Sequence, residues 1–287
     1  MTANRRFSVH QPLRFWLSFF LLLAMTMSAQ AQRVGDYLGD ERVLYATTKQ
    51  VNQFFRRFNG EESPLGERYY PKDSLYRHPP LRREYLEMLF DDGNQDLDGY
   101  KRNRFVREVL NGRDPIYLDF HGGEFFAEVK TSFSYKGQKQ NLTLFLKLEE
   151  DTIGSKWVFT NVYFEPFART FREAGESDPP DFLHPLSHEL DFMNLIKVFR
   201  EANNPEKFTE QGFQPDYLTL FLYEYKKGNL KFHTVNQVKF HFFQIEGWYF
   251  ELAEVDRKEG NRGWLITQMT ELAEGNKEIL LNYIYRQ

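Results

Sequence analysis

The chain has no cysteine. That excludes disulfide staples, thiol nucleophiles and the acylated cysteine of a bacterial lipoprotein. It also lacks the Gly-x-Ser-x-Gly elbow of serine hydrolases and a phosphate-cradling glycine loop, since Gly122-Gly123 follows a short strand and reads as a turn. Positive charge is not in excess: 37 Lys and Arg stand against 41 Asp and Glu, with no clustered basic face. Nucleic acid and anionic lipid are therefore poor partners. Beyond the first thirty-one residues no apolar run is long enough to span a bilayer.

Those first residues carry Arg5, Arg6 and Arg14, then an apolar run from Phe15 to Met27, then Ser28-Ala29-Gln30-Ala31. Basic start, short apolar core and Ala-x-Ala ending make up the grammar of a signal peptide over 1–31. The run is shorter than the ~20 residues of a membrane-spanning helix, so cleavage after Ala31 leaves no span. Loss of three arginines takes the formal net charge from −4 to −7. The expected location is the periplasm or the medium of a bacterium.

A weak duplication follows, with a period of roughly 107 to 141 residues. KWVFTNVY (156–163) and GWLITQMT (263–270) share tryptophan, two apolar residues, threonine, a side-chain amide and an apolar residue in order. Val51, Phe54, Phe55 and Phe58 have the i, i+3, i+4, i+7 spacing of one helical stripe, and Phe192, Leu195, Ile196 and Phe199 repeat it. REYLEMLFDDGN (83–94) likewise resembles PDYLTLFLYEYKKGN (215–229). After each helix pair the period drops to two. Residues 127–135 alternate, Lys136-Gly137 turns the chain, and 141–150 returns; 238–245 and 248–255 flank Glu246-Gly247.

These patterns predict an α+β fold of two related domains, each with N-terminal helices packed on a curved antiparallel sheet. The first covers 40–171 and the second 186–287. The acidic, proline-rich stretch 172–185 between them reads as a linker, with Ser187 as N-cap of the next helix. Helices followed by three long strands, with Trp157 and Trp264 opening the last strand of each half, resemble the nuclear transport factor 2-like fold. A cystatin-like sheet wrapped on one helix gives a similar string. The resemblance implies a cone whose open end can hold a small ligand. Some members of the family are isomerases or dehydratases and many are non-catalytic partners, and no family motif here carries over catalytic residues.

Candidate sites are few. His241 lies in a strand among Phe240, Phe242 and Phe243; facing the cone it could shuttle a proton, and facing outward it is a surface histidine. Trp248 and Tyr249 are the other candidate ligand contacts, and as strand neighbours at most one of them shares His241's face. In the loop 91–103, Asn94, Asp96, Asp98 and Gly99 have the spacing of a calcium loop, but Phe105 stands where the bidentate glutamate belongs. Calcium is the one cofactor that this loop suggests. His188-Glu189 lacks the second histidine of a zinc protease, and Pro185 interrupts any helix through His184 and His188. Tyr69, Tyr70, Tyr76 and Trp248 are the aromatic residues to inspect for glycan contact. The expectation is an exported, non-catalytic accessory protein that binds an envelope protein, a small ligand or a glycan. The alternatives are a pocket enzyme using His241 in acid–base chemistry and a glycan-binding accessory protein.

Overall fold

Residues 125–135 alternate apolar and polar side chains and form the first long strand, β1 (Phe125–Tyr135). Lys136 and Gly137 both take positive φ, 49° and 85°, giving the two-residue turn whose twist matches a hairpin. The chain returns as β2 (Gln138–Asp151) and turns again into β3 (Gly154–Tyr163). A second meander, β4 (Leu230–Phe242), β5 (Trp248–Val255) and β6 (Gly263–Glu271), repeats the pattern. The structure, a computed structural model, describes residues 50–152, 154–171, 183–200, 205–257, 261–273 and 275–285. The expected signal peptide and residues 172–182 of the expected linker lie outside the described residues.

The six strands form one antiparallel sheet in the order β3-β2-β1-β4-β5-β6. Strands from the two expected domains are thus joined edge to edge through β1 and β4 rather than forming two sheets. The order is symmetric about the pair Ala127 and Phe240: Phe125 faces Phe242 on one side of it and Val129 faces Val238 on the other. Both outer strands bulge at the same residue of the repeated motif. Pairing passes from Leu146–Phe159 to Phe145–Asn161, skipping Thr160, and from Leu252–Ile266 to Glu251–Gln268, skipping Thr267. A bulge adds one residue and bends its strand, so the shared threonine marks the same bend at both ends of the sheet.

Helices α1 (Val51–Asn59), α2 (Pro79–Glu87) and α3 (Gly99–Val109) precede the first meander. Helix α1 starts at a reciprocal Gln50/Gln53 capping box and ends at Gly60 in the left-handed region. A Cβ there would also come within 3.2 Å of the Arg77 backbone. Phe54, Phe55 and Phe58 of its stripe are buried and Val51 is half-buried, mostly against the other half's strands. Phe54 meets Phe242 and Phe250, and Phe58 stacks on Phe250. Phe90, after α2, bridges to Ile266 of β6. Reciprocally α6 (Tyr217–Lys226), from the second half, lies against β3, and its Phe221 enters a second cluster with Phe133, Leu142, Leu144 and Val162. The helices of each half therefore cover strands of the other. The opposite face carries a smaller cluster, in which Phe126, Phe145, Phe243 and Tyr249 pack under the C-terminal helix α7 (Asn276–Tyr285).

Two short helices complete the described chain, α4 (Glu165–Thr170) and α5 (Leu195–Arg200). Here the structure corrects the sequence. Ser187 is not an N-cap but lies inside a 3-10 turn, Pro185–Leu190, whose cap is His184 accepting from the Leu186 N–H at 3.2 Å. Pro185 pre-sets φ for the first position and moves the start upstream. Asp191 and Phe192 then adopt positive φ and separate that turn from α5. Phe192, Leu195, Ile196 and Phe199, expected to be buried, are exposed, Phe199 to 74%.

Candidate functional site

Phe240 and Phe242 point into the main core, so period-two alternation turns Lys239 and His241 to the other sheet face. Register places Glu128 of β1 opposite Lys239, and Glu251 of β5 opposite His241. The bonds run diagonally across those pairs. His241 Nε2 lies 3.0 Å from a Glu128 carboxylate oxygen, and Nδ1 lies 2.8 Å from the Tyr249 hydroxyl oxygen. Tyr249 donates its proton to Glu251 at 2.9 Å, and Lys239 donates to the other Glu251 oxygen at 2.8 Å. Tyr283 of α7 donates to Glu128 at 3.4 Å. His241, Glu128, Tyr249 and Glu251 are all buried, none more than 8% exposed.

Donor counting constrains this chain. Tyr249 has one hydroxyl proton and gives it to Glu251, so its oxygen accepts from Nδ1–H, while ionised Glu128 can only accept from Nε2–H. His241 thus links the Glu128 carboxylate to the Tyr249 hydroxyl through its two ring nitrogens. Burial and the neighbouring Glu251 carboxylate, to which it also donates, push the Tyr249 hydroxyl pKa far up, which keeps its proton in place. Burial also pushes Glu128 up, but the hydrogen bond and charge of His241, with Lys130 and Lys239, outweigh it and hold this carboxyl below its ordinary value.

A depressed carboxyl contributes stability that is present above its unfolded pKa of ~4.3 and is lost as pH falls through the lower folded value. Urea midpoints are expected to decline on acidification below about pH 4.3, with a shallower acid limb in Glu128→Gln. Equal acid limbs in the two proteins would remove Glu128 as a source of the effect.

Of the three expected ligand contacts, the structure brings His241 and Tyr249 together and sends Trp248 to the opposite face. Trp248 is buried in the main core, donating its indole N–H to Glu108 at 2.6 Å. The reading of His241 as a surface residue is corrected: it is 2% exposed, because α7 covers the polar face there. Sequence reasoning missed Glu128, Lys239, Glu251 and Tyr283. A usable signal existed for the first three, since charged residues inside three strands share His241's face once register is known.

The loop 91–103 is a fastening point. Asn94 donates to the Thr267 carbonyl at the β6 bulge, 2.7 Å, and accepts from the Asp96 N–H at 3.0 Å. Asp98 caps α3 through the Tyr100 N–H, and Phe105 is fully buried in the core. Among the described residues no group of three or more His, Asp or Glu side chains is placed to hold a metal. Asn94→Ala is expected to cost about 1–2 kcal/mol through the unpaired Thr267 carbonyl, by the same amount with and without added calcium. A loss that calcium abolishes would instead make the loop a cation site.

The tyrosines considered for glycan contact are dispersed in role. Tyr69 is buried, its hydroxyl 3.5 Å from that of Tyr85; Tyr76 donates to Glu61 at 3.2 Å; Tyr70 is exposed. No protein-family model, curated protein or solved structure matches this chain.

Proposed function

We propose that this chain is an exported, non-catalytic binding protein of the bacterial envelope, built by duplication of one helices-then-meander unit of nuclear transport factor 2-like type. The duplication is supported by the symmetric strand order and by the bulge at Thr160 and Thr267. Export is supported by the residues of 1–31. Among the described residues no helix is long and apolar enough to cross a membrane.

One observation carries the non-catalytic reading. The acid–base side chains that converge, Glu128, His241, Tyr249 and Glu251, bond one another beneath α7, while the opposite sheet face over β4–β6 is packed with phenylalanine. A substrate would have to displace helix or core to reach them, leaving outer surfaces for recognition. A thermal-shift series of the chain from Gln32 onward, against small metabolites and glycan fragments, tests this. A flat series, together with one envelope protein crosslinked at stoichiometric yield, is the expected result. A small molecule that raises the midpoint and loses that effect in His241→Gln would overturn it in favour of a pocket enzyme, the reading that the Glu128–His241–Tyr249 relay favours. The glycan reading rests on Trp157, which is partly exposed on β3, and on Tyr70.

A further inference from the structure

The two strands at the middle of the sheet differ in how far their outer sides are paired. β2 runs beside β1 from Phe126 to Tyr135, but β5 runs beside β4 only from Lys239 to Phe242. Among the described residues no strand pairs with β4 from Leu230 to Val238 on its β5 side. That stretch is therefore a sheet edge, although β4 is central in the strand order, and its outward N–H and C=O groups can take another strand. At the corner where β5 stops lies a groove of about 320 Å³, lined by Val235, Asn236, Gln237, Val238, Glu254 and Trp264.

The edge has two chemically different faces. Phe232 lies opposite Phe133 and Val235 opposite Thr131, on the face that carries Phe240 and Phe242, and the two are 53% and 49% exposed. On the other face Lys231 lies opposite Ser134, as does Lys139 from β2, and Gln237 lies opposite Lys130. Lys130, Lys139 and Lys231 are exposed, and neither 129–148 nor 225–245 contains an Asp or Glu. The fold thus gathers a basic end from lysines that are scattered along a chain whose net charge is −4. Lysines, and bulges such as those of β4 at His233 and Asn236, guard an edge against indiscriminate pairing. Guarding alone does not account for Phe232 and Val235, whose exposed apolar surface beside the groove invites a partner.

We infer that the edge 230–238 of β4 takes an extended segment of a partner protein as an added strand, one that alternates apolar and acidic side chains. Its apolar side chains lie over Phe232, Val235 and the groove beside Trp264, and its acidic ones lie on the face of Lys231 and Lys130. Glu254, in the groove, repels acidic groups from the apolar side. A second copy of this chain fits the edge poorly. Two β4 edges side by side would bring their lysine-bearing faces together, and each carries bulges at His233 and Asn236 that break a regular ladder. The inference rests on the binding-protein reading and specifies what the partner presents.

A labelled synthetic peptide of alternating valine and glutamate tests this, with fluorescence anisotropy against the whole chain as the readout. The controls are a valine–lysine peptide and two N-methylated versions of the first, one for each set of alternate amides, because only one set can face β4. The valine–glutamate peptide is expected to bind roughly tenfold tighter than the valine–lysine one, as charge complementarity at the edge requires. One N-methylated version is expected to lose binding, and bound peptide should slow amide exchange within 230–238. Lys231→Glu, a change at an exposed residue, should weaken the acidic peptide on the order of fivefold. Binding retained by both N-methylated versions would mean attraction by charge alone and would overturn strand addition. Slowed exchange confined to other residues would overturn the site, and a dimer in sedimentation that the peptide dissociates would pass the edge to a second copy. No binding of the valine–glutamate peptide would overturn the inference and leave the binding-protein reading standing, since that reading is tested separately by the crosslink to an envelope protein.

Discussion

Phe250→Ala is expected to destabilise the protein by about 3–5 kcal/mol, the range for removing a fully buried phenyl ring. Phe250 has no exposure, stacks on Phe242 at 4.6 Å between centroids and on Phe58 at 6.4 Å, and meets Phe105 edge to face at 5.8 Å. The ring thus touches α1, α3 and β4 together. Its loss leaves a cavity walled by other rings, whose rigid shape limits collapse and places the cost high in that range. For a unit of this size the melting midpoint should drop by roughly 10 °C. Exposed Phe199→Ala is the matched control, expected to change the midpoint by a degree or two. Similar drops at both positions in a melting experiment would contradict the burial contrast.

Glu128→Ala is expected to cost about 3–5 kcal/mol, because it leaves His241 buried beside a cavity with one ring N–H unpaired. Pairing His241→Leu with Glu128→Leu should recover part of that loss, since an apolar pair of similar volume removes the desolvation penalty from both partners. Denaturant unfolding of the two single variants and the double measures the coupling, expected at ~1–3 kcal/mol. Additive losses would mean that the two side chains do not depend on one another.

Legibility varied with the range of the interaction. The strands from 127 to 163 and from 238 to 270, the helices near Tyr85, Phe105 and Tyr217, and the Lys136-Gly137 turn were readable because periodicity and turn chemistry are local, whereas the first half of β4, from Leu230, was not read as strand. The repeated Trp–Thr motif was visible, but its meaning was not: that Thr160 and Thr267 are bulges depends on pairing with β2 and β5. The single sheet was not readable at all, because edge-to-edge joining of Phe125–Tyr135 with Leu230–Phe242 leaves no mark on the alternation of either strand. Identical stripes at 51–58 and 192–199 met different fates for the same reason: a hydrophobic pattern states what must be covered and not what covers it.

For the site, His241 and Tyr249 were named from sequence while Glu128 and Glu251 were not. Strand polarity alone cannot tell a charged residue facing water from one facing a covering helix, and α7, the cover, comes last in the chain. Asn94, Asp96 and Asp98 show the converse. Their spacing suited a cation, yet the same short oxygen-bearing side chains suit turns and caps, and that is where Asn94 and Asp98 are used.

The exchange of covering helices between halves also sets an order of events in synthesis. A ribosome that has finished residue 171 has made all three helices over the larger core, yet of its floor only Phe125 and Ala127 of β1 and the flanking Leu146 and Leu148 of β2 exist. Phe54 and Phe58 find their partners Phe242 and Phe250 only when nearly the whole chain has emerged. Such distant pairing folds slowly, since closure of a long loop precedes any contact that rewards it. Under the proposed export, which requires a chain to stay unfolded until it has passed the channel, this wiring would delay the completed core until the strands through Glu271 have been delivered.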